Sequence, residues 1–598
     1  MSEPLWTPPA DAWESTRLGR FANRHRPEAV GDYPALLAWS TSEPTSFWSA
    51  VWDELAIEAS TEPDGVLAGT AMPAVQWFPG ATLNYAKHVL RGNGLADDDI
   101  VCVSVSQSRA TRELSMVQLR DQVRRAAAGL RRCGVGRGDR VAAFLPNIDQ
   151  ALVAFLATAS IGAIWSSCAP EFGVRAVLDR WSQIEPTVLL TVDGYRYGDR
   201  DVPLGEVVAG IRGGLPSLRS TVVLPYLGDG SAVPDALAWD DLVAPTDDQL
   251  TVEPVPFDHP LYVLYSSGTT GLPKAIVHGH GGILLEHGKQ LALQMDLGPG
   301  DRFFWFSTTG WMMWNYLVSG PLVGASVVLF DGNPGHPDLD TLWALMGSTG
   351  TTMAGLSAPF LMACRKAGLR PGADHDLSSL RAVGSTGAPL PASGFEWIAA
   401  EVGPVHIANI SGGTDVCSAF LGSAPVLPVV AGTIPCRQLG WSVEAFDPDG
   451  NPVLGREGEL VITEPAPSMP LGLWGDDDGT RYRETYFSTY PGVWCHGDWL
   501  TIAEDGTAVI SGRSDATLNR GGVRLGTADY DAVVDAHPAV ADSLIVHLEN
   551  GVEIEDGDED GGLGTLILFV VPAPGTTIDD QVKSDLRRAI RQELSPRH

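Results

Sequence analysis

The chain has 598 residues, 44% hydrophobic and 19% charged, with a net charge of −33. That length exceeds a single core and predicts at least two domains, and the composition is that of a globular protein rather than a fibrous or low-complexity one. The acidic balance excludes a nucleic-acid footprint, so an anionic small ligand has to meet a local cluster of donors. The start, MSEPLWTPPADAW, has neither a basic region nor an apolar core and reads as no signal peptide. The best apolar run, Leu563 to Val571, is too short to span a bilayer, so no membrane partner is expected. The seven cysteines include no CxxC pair, which argues against a zinc ribbon and fits buried thiols in a reducing cytoplasm.

In chain order, residues 1–80 are rich in Trp, Pro and acidic residues and would wrap a core rather than form one. From Arg140 the pattern becomes βαβ: RVAAFLP reads as a buried strand, NIDQALVAFLATASIGA as a helix and AIWSS as the next strand. GVGRGD (134–139) lacks dinucleotide-motif spacing and reads as a loop. LYVLYS (261–266) and SVVLF (326–330) are further buried strands. Alternation of this kind predicts an α/β fold with mostly parallel, doubly wound sheets and ligands beyond the carboxyl ends of the strands. Over 431–512 the texture of short strands and turns predicts a small β-rich subdomain. After GRSD (512–515) a separate unit is expected, with a helix at 527–536, strands at 543–548 and 565–571 and a basic helix at 578–594. Its loop EIEDGDED reads as a solvated acidic turn, with a metal site as the alternative.

The stretch YSSGTTGLPK (265–274) has the chemistry of a phosphate cradle. Gly268 and Gly271 let N–H groups turn toward an anion, the hydroxyls of Ser266, Ser267, Thr269 and Thr270 add donors, and Lys274 adds a positive charge. Leu272 and Pro273 separate the last glycine from the lysine, so the spacing is not that of a Walker loop. The chain has only five lysines, which makes one at the end of this loop informative.

This segment resembles the pyrophosphate-binding loop of the AMP-forming acyl-CoA synthetase superfamily, and four more segments follow in the family's order. GSTGAPL (384–390) is similar to its adenine segment, which implies Gly387, Ala388 and Pro389 around the purine. NISGGTDV (409–416) resembles its Thr-acid motif. That likeness implies Asn409, Ile410, Ser411, Gly412 and Gly413 along the nucleotide, Thr414 at the α-phosphate and Asp415 as a magnesium ligand. WCHGDW (494–499) implies that Asp498 grips the ribose hydroxyls. GRSDATLNRGG (512–522) and the residues after it imply Arg513 at the ribose, Asp515 as a domain pivot, Asn519 near the adenylate and Arg524 on phosphate. Gly522 would lie beside the thiol-bearing arm of coenzyme A, and His537 where relatives hold a structural cation; the residues alone fit a helix-end histidine before Pro538 equally well.

What the resemblance implies is an adenylate-forming domain at 1–514 and a small mobile α+β domain at 515–598. Its chemistry would be an acid–thiol ligase reaction using ATP, Mg2+ and coenzyme A, with Lys274, Thr414, Asp415 and Arg524 carrying the catalysis. The likeness is strongest to the acetyl-CoA synthetase branch and its acetoacetyl-activating members. Acetyl-activating enzymes close the acyl pocket with a tryptophan two residues before the motif threonine, where this chain has Gly412. A pocket walled by Trp311, Met312 and Met313 would then take a four-carbon 3-oxo acid, acetoacetate, with Asn409, Ser411 or Cys417 near its keto oxygen. Other short acids (acetate, propionate, butyrate), a nucleotide- or CoA-binding role and a luciferase-type oxidation stay open as alternatives.

Two departures from the family stand out. Asp415 replaces the usual glutamate and reaches one methylene less. The family's C-terminal lysine is expected beyond ELSPRH, together with a protein that modifies that lysine region as a partner; Lys583, on an amphipathic helix, does not replace it.

Overall fold

A computed structural model describes residues 3–69, 71–266, 272–515, 530, 533–534, 536–547, 565–573 and 575–594, and the backbone alone of 517–520, 523–526 and 548. Ser267, Gly268, Thr269, Thr270, Gly271 and Gly522, the side chains of Asn519 and Arg524, and most of the expected helix at 527–536 lie outside the described residues.

The apolar runs form two central sheets. The eight-stranded sheet runs Leu237–Ala238, Ser220–Leu224, Val188–Val192, Arg140–Phe144, Ile164–Cys168, Pro260–Ser266, Lys274–Gly279, Gly472–Leu473. Its neighbours are parallel as far as Pro260–Ser266 and antiparallel beyond it. The seven-stranded sheet runs His406–Asn409, Ala382–Thr386, Met353–Ser357, Arg302–Trp305, Ser326–Asp331, Ile100–Ser106, Arg112–Ser115 and is parallel except for its last pair. These strands are buried almost throughout, as parallel strands covered on both faces must be, which is why their sequences read as continuous hydrophobic runs.

Helix Asp149–Ile161 is buried along its whole length and is mostly apolar after Asp149 and Gln150 at its start. Phe155 on it meets Tyr85, Trp165, Tyr262 and Trp314, and burying such a ring contributes about 1.5–3 kcal/mol. The helix stops at Gly162, which takes the left-handed conformation at φ 74° that ends helices cheaply only in glycine.

The N-terminal stretch folds into helices Ala12–Ser15, Arg17–His25, Tyr33–Ser42 and Pro44–Glu54. Phe21, Trp39, Phe47 and Trp48 from these helices join the main core, so the segment supplies core as well as cover. The short-strand region closes into an antiparallel sheet, Val443–Phe446, Glu457–Ile462, Trp494–Ile502 and Ala508–Arg513. Beyond it come two hairpins, Thr517–Arg520 with Val523–Gly526 and Val540–Leu548 with Thr565–Pro572, and helix Asp580–Glu593. This last helix rests on the start of helix Val174–Ile184. Gly173 N–H donates to the Leu594 carbonyl at 3.3 Å, and Arg175 pairs with Glu593 at 3.1 Å. Lys583 is exposed beside Asp580, as its amphipathic helix requires. Among the described residues, no helix is long and apolar enough to cross a membrane.

Candidate active site

The carboxyl ends of both sheets meet at one cavity of about 220 Å³. Three chain segments reach it directly from strand ends. Ser266 closes strand Pro260–Ser266, Gly387 to Pro389 follow strand Ala382–Thr386, and Asn409 closes strand His406–Asn409. Opposite them, Asp498 and Arg513 come from the antiparallel sheet, and Trp311, Met312 and Met313 come from the start of helix Met312–Leu317. The structure therefore gathers Ser266, Gly387, Ala388, Pro389, Asn409 to Thr414, Asp498, Arg513, Trp311 and Met312 around one space, although they span almost 250 residues of chain.

The phosphate-loop candidate joins two antiparallel strands. Ser266 and Lys274 face each other in register across the pair, so the loop is a hairpin connection rather than a strand-to-helix turn. Register thus sets Lys274 directly across from Ser266, which lines the cavity; Lys274 itself does not line it. Its Nζ donates to Asp415 Oδ1 at 2.8 Å and lies 4.9 Å from the centre of the Tyr486 ring. Asp415 is 2% exposed, and the same Oδ1 accepts from the Tyr486 hydroxyl at 2.5 Å. Tyr486 is itself stacked on Trp494 at 3.7 Å. The carboxylate at the motif position is thus held by a cation and a phenol.

Asp498 and Arg513 are direct cross-strand partners. Arg513 Nη1 donates to Asp498 Oδ1 at 3.0 Å, and its Nε donates to Asp515 Oδ1 at 3.0 Å, with Nη2 on the other oxygen of Asp515. Burial opposes the guanidinium charge, but the carboxylates of Asp498 and Asp515 outweigh it and raise the Arg513 pKa. A Cβ at Gly497 would come within 2.7 Å of Arg513 Nη2 and 2.8 Å of Asp515 Oδ2, so this close packing needs glycine there. The residue expected at the ribose and the one expected as pivot are in this way joined by one arginine.

Gly412 lines the cavity, but its neighbourhood alters the meaning of the missing indole. A Cβ there would sit 1.9 Å from the Ser418 carbonyl oxygen and 2.6 Å from Ala419 Cα, in the hairpin Ser411–Gly413 with Ser418–Gly422. No side chain fits unless the hairpin moves, so a larger residue does not simply fill the pocket. Gly412→Ala is expected to lower stability by about 1–3 kcal/mol through backbone overpacking and to reduce acyl transfer with it, measured as a fall in Tm alongside the rate of AMP formation.

The hairpin is braced from behind. Glu286 Oε1 accepts from Ser418 Oγ at 2.6 Å, Trp441 Nε1 at 2.9 Å and Lys289 Nζ at 3.0 Å, all buried. Cys417 faces away from the cavity: its Sγ lies 3.2 Å from the Tyr262 hydroxyl, and burial pushes its thiol pKa up to about 12. That removes it from the residues that could meet a keto oxygen. His278 and His287 are pushed down to about 4 by burial, so both are neutral near pH 7 and act as hydrogen-bonding struts to Thr414 and Cys417 carbonyls.

Trp311 stays at the cavity wall, whereas Trp314 belongs to the core, stacked near Trp165 and donating to Asn147 at 3.1 Å. His537 Nδ1 accepts the Ala539 N–H at 3.2 Å and so fastens a turn. Among the described residues no group of three or more His, Cys, Asp or Glu converges. Three residues at the site carried no sequence signal: Tyr486, Arg180, whose guanidinium lies 5.0 Å from the Phe172 ring at the cavity edge, and Asn315.

Glycine- and hydroxyl-rich strand ends at the cavity, the Lys274–Asp415 pair behind Ser266 and an apolar wall at Trp311 and Met312 are a set of groups suited to an activating enzyme that handles an anionic ligand. Residues 95–474 match the family model for AMP-binding enzymes, and residues 33–89 match the acetyl-coenzyme A synthetase N-terminus. The chain belongs to the AMP-binding enzyme family. It is 40% identical to the acetoacetyl-coenzyme A synthetase of Rhizobium meliloti (strain 1021), over all of this chain and 91% of that protein. It is also 39% identical to the acetoacetyl-CoA synthetase of Rattus norvegicus, over 99% of this chain and 89% of that one. The structure is similar to that of acetoacetyl-CoA synthetase from Streptomyces lividans, with a TM-score of 0.83 and 49% identity over 100% of this chain and 91% of the other.

Proposed function

We propose that the chain is an acetoacetate–CoA ligase that forms AMP. The observation carrying this reading is that relatives named for acetoacetyl-CoA synthesis align over essentially the whole chain, with the cavity residues included in the span. A carboxylate oxygen of acetoacetate bonds to the α-phosphorus of ATP while the bond from that phosphorus to pyrophosphate breaks. The thiol sulfur of coenzyme A then bonds to the acyl carbon, the carbon–oxygen bond to AMP breaks, and the thiol proton is released.

Each residue's part follows from its chemistry. Gly387, Ala388 and Pro389 flank the purine. Asp498 accepts from the ribose hydroxyls while Arg513 holds it in place. Thr414 donates to the α-phosphate, Lys274 offsets charge that collects on the departing pyrophosphate, and Arg524 binds phosphate. Asp415 is the residue that would hold magnesium, which when bound neutralises phosphate charge. A lone buried carboxylate fits that ion, whose other ligands come from phosphates and water. In this reading residues 1–514 form the adenylating domain, and 515–598 belong to a C-terminal domain that turns about Asp515 and brings Gly522 to the thiol arm. A cytoplasmic enzyme, and a protein acting on the C-terminal lysine region, complete it.

The test is AMP formation by the full-length protein with acetoacetate, acetate, propionate and butyrate in parallel. The expected result is the highest kcat/KM with acetoacetate; a preference for acetate overturns the substrate assignment.

A further inference from the structure

Beside the main cavity lies a side chamber of about 20 Å³, enough for one water-sized group. Trp311, Met312 and Thr414 line both spaces, so the chamber opens off the acyl end next to the motif threonine. Asn315 lines the chamber from helix Met312–Leu317, one turn past Trp311.

Asn315 is 2% exposed, and neither its Nδ2 nor its Oδ1 has a hydrogen-bond partner. Nearby buried amides differ. Asn147 donates to the Ser307 carbonyl and accepts from Trp314, and Asn84 donates to two carbonyls. The backbone at Asn315 is fixed as well, its carbonyl accepting from Ser319 Oγ at 2.9 Å. A buried amide with both ends unmet is destabilising, and an apolar residue of the same shape would serve packing better. The unmet capacity lies on the wall of the side chamber.

Resting on the acetoacetate reading, we propose that Asn315 is the specificity-determining residue for the 3-oxo group, with Nδ2 donating to the keto oxygen. An acid whose carboxyl carbon lies at Thr414 carries its third carbon two bonds further, still between the walls that the two spaces share. A 3-oxo acid brings an acceptor to the amide there. A saturated acid brings only a methylene and leaves the amide unmet, which weakens its binding relative to the 3-oxo acid. Asn409 and Ser411, which line the main cavity, then serve the nucleotide side alone.

The test measures binding of two stable adenylate analogues, sulfamoyl-adenosine carrying an acetoacetyl or a butyryl group on its sulfamate nitrogen, by titration calorimetry, so no turnover is needed. Wild-type protein is expected to bind the acetoacetyl analogue about tenfold more tightly. Asn315→Leu is expected to bind both within about twofold of each other, with butyryl affinity kept or improved. Asn315→Ala, which adds no atoms, is expected to lose the preference likewise and decides the matter if the leucine variant fails to bind the butyryl analogue. A preference that survives in the variants overturns the role of Asn315 alone and leaves the chamber to a bound water. A wild-type protein without preference overturns the acetoacetate reading and this inference with it.

Discussion

Asp415→Asn is expected to slow ATP–pyrophosphate exchange by about 10²- to 10³-fold, the scale at which single preorganised charges act in such sites. The side chain keeps its shape but loses its charge. In the native site that charge, 2% exposed, fixes Lys274 Nζ at 2.8 Å and accepts the Tyr486 hydroxyl on the same oxygen. With an amide there, the lysine loses its charged partner, and the site loses the residue that would hold magnesium. Acetoacetate affinity is expected to change little, because the acyl wall is built from Trp311 and Met312. Asp415→Glu is the informative companion. It restores the charge on a side chain one methylene longer, and it is expected to exceed the asparagine variant by at least tenfold in the same exchange assay. Equal loss in both variants would mean that shape, and not charge, is what the position supplies.

Asp498→Ala is expected to weaken AMP binding by about 10²-fold, read by titration calorimetry. A carboxylate that accepts from two ribose hydroxyls makes charge-assisted bonds of about 1.5–3 kcal/mol each. The substitution also removes the Asp498 carboxylate from Arg513, while Asp515 stays bonded to it. Binding of pyrophosphate alone is expected to be unaffected, since Lys274 lies on the eight-stranded sheet and Asp415 in the turn between Ser411–Gly413 and Ser418–Gly422, both outside the sheet that carries Asp498. Asp498→Asn keeps an acceptor without the charge and is expected to fall between wild type and alanine.

Much of this architecture was legible in the residues, and for identifiable reasons. Parallel strands covered on both faces leave continuous apolar runs, so Arg140–Phe144, Ile164–Cys168, Pro260–Ser266 and Ser326–Asp331 stood out. The cavity residues were readable as ordered motifs because short glycine- and hydroxyl-rich segments at strand ends carry strong local chemistry. What escaped depends on register and long-range packing. That Ser266 and Lys274 are antiparallel partners follows from pairing, not composition. Gly412 looked like room for a side chain, and only the hairpin geometry puts the Ser418 carbonyl where a Cβ would be. Tyr486 meets Asp415 from 71 residues away in sequence, and nothing in YRETYF marks one tyrosine as special. Cys417 was a reasonable polar neighbour by position, yet its backbone adopts φ 49° and its thiol turns to Tyr262. Asn315 sits in an aromatic run that reads as core, and its unmet amide is visible only once every neighbour is placed.

The central claim is that a carboxylate attacks the α-phosphate of ATP and that AMP is the leaving group of the second step. Acetoacetate labelled with oxygen-18 in its carboxyl group tests this directly when the full-length protein is given ATP and coenzyme A and the products are weighed by mass spectrometry. The expected result is acetoacetyl-CoA together with AMP carrying one labelled oxygen from the acid. Label appearing in inorganic phosphate with ADP, or AMP formed without label, would contradict it.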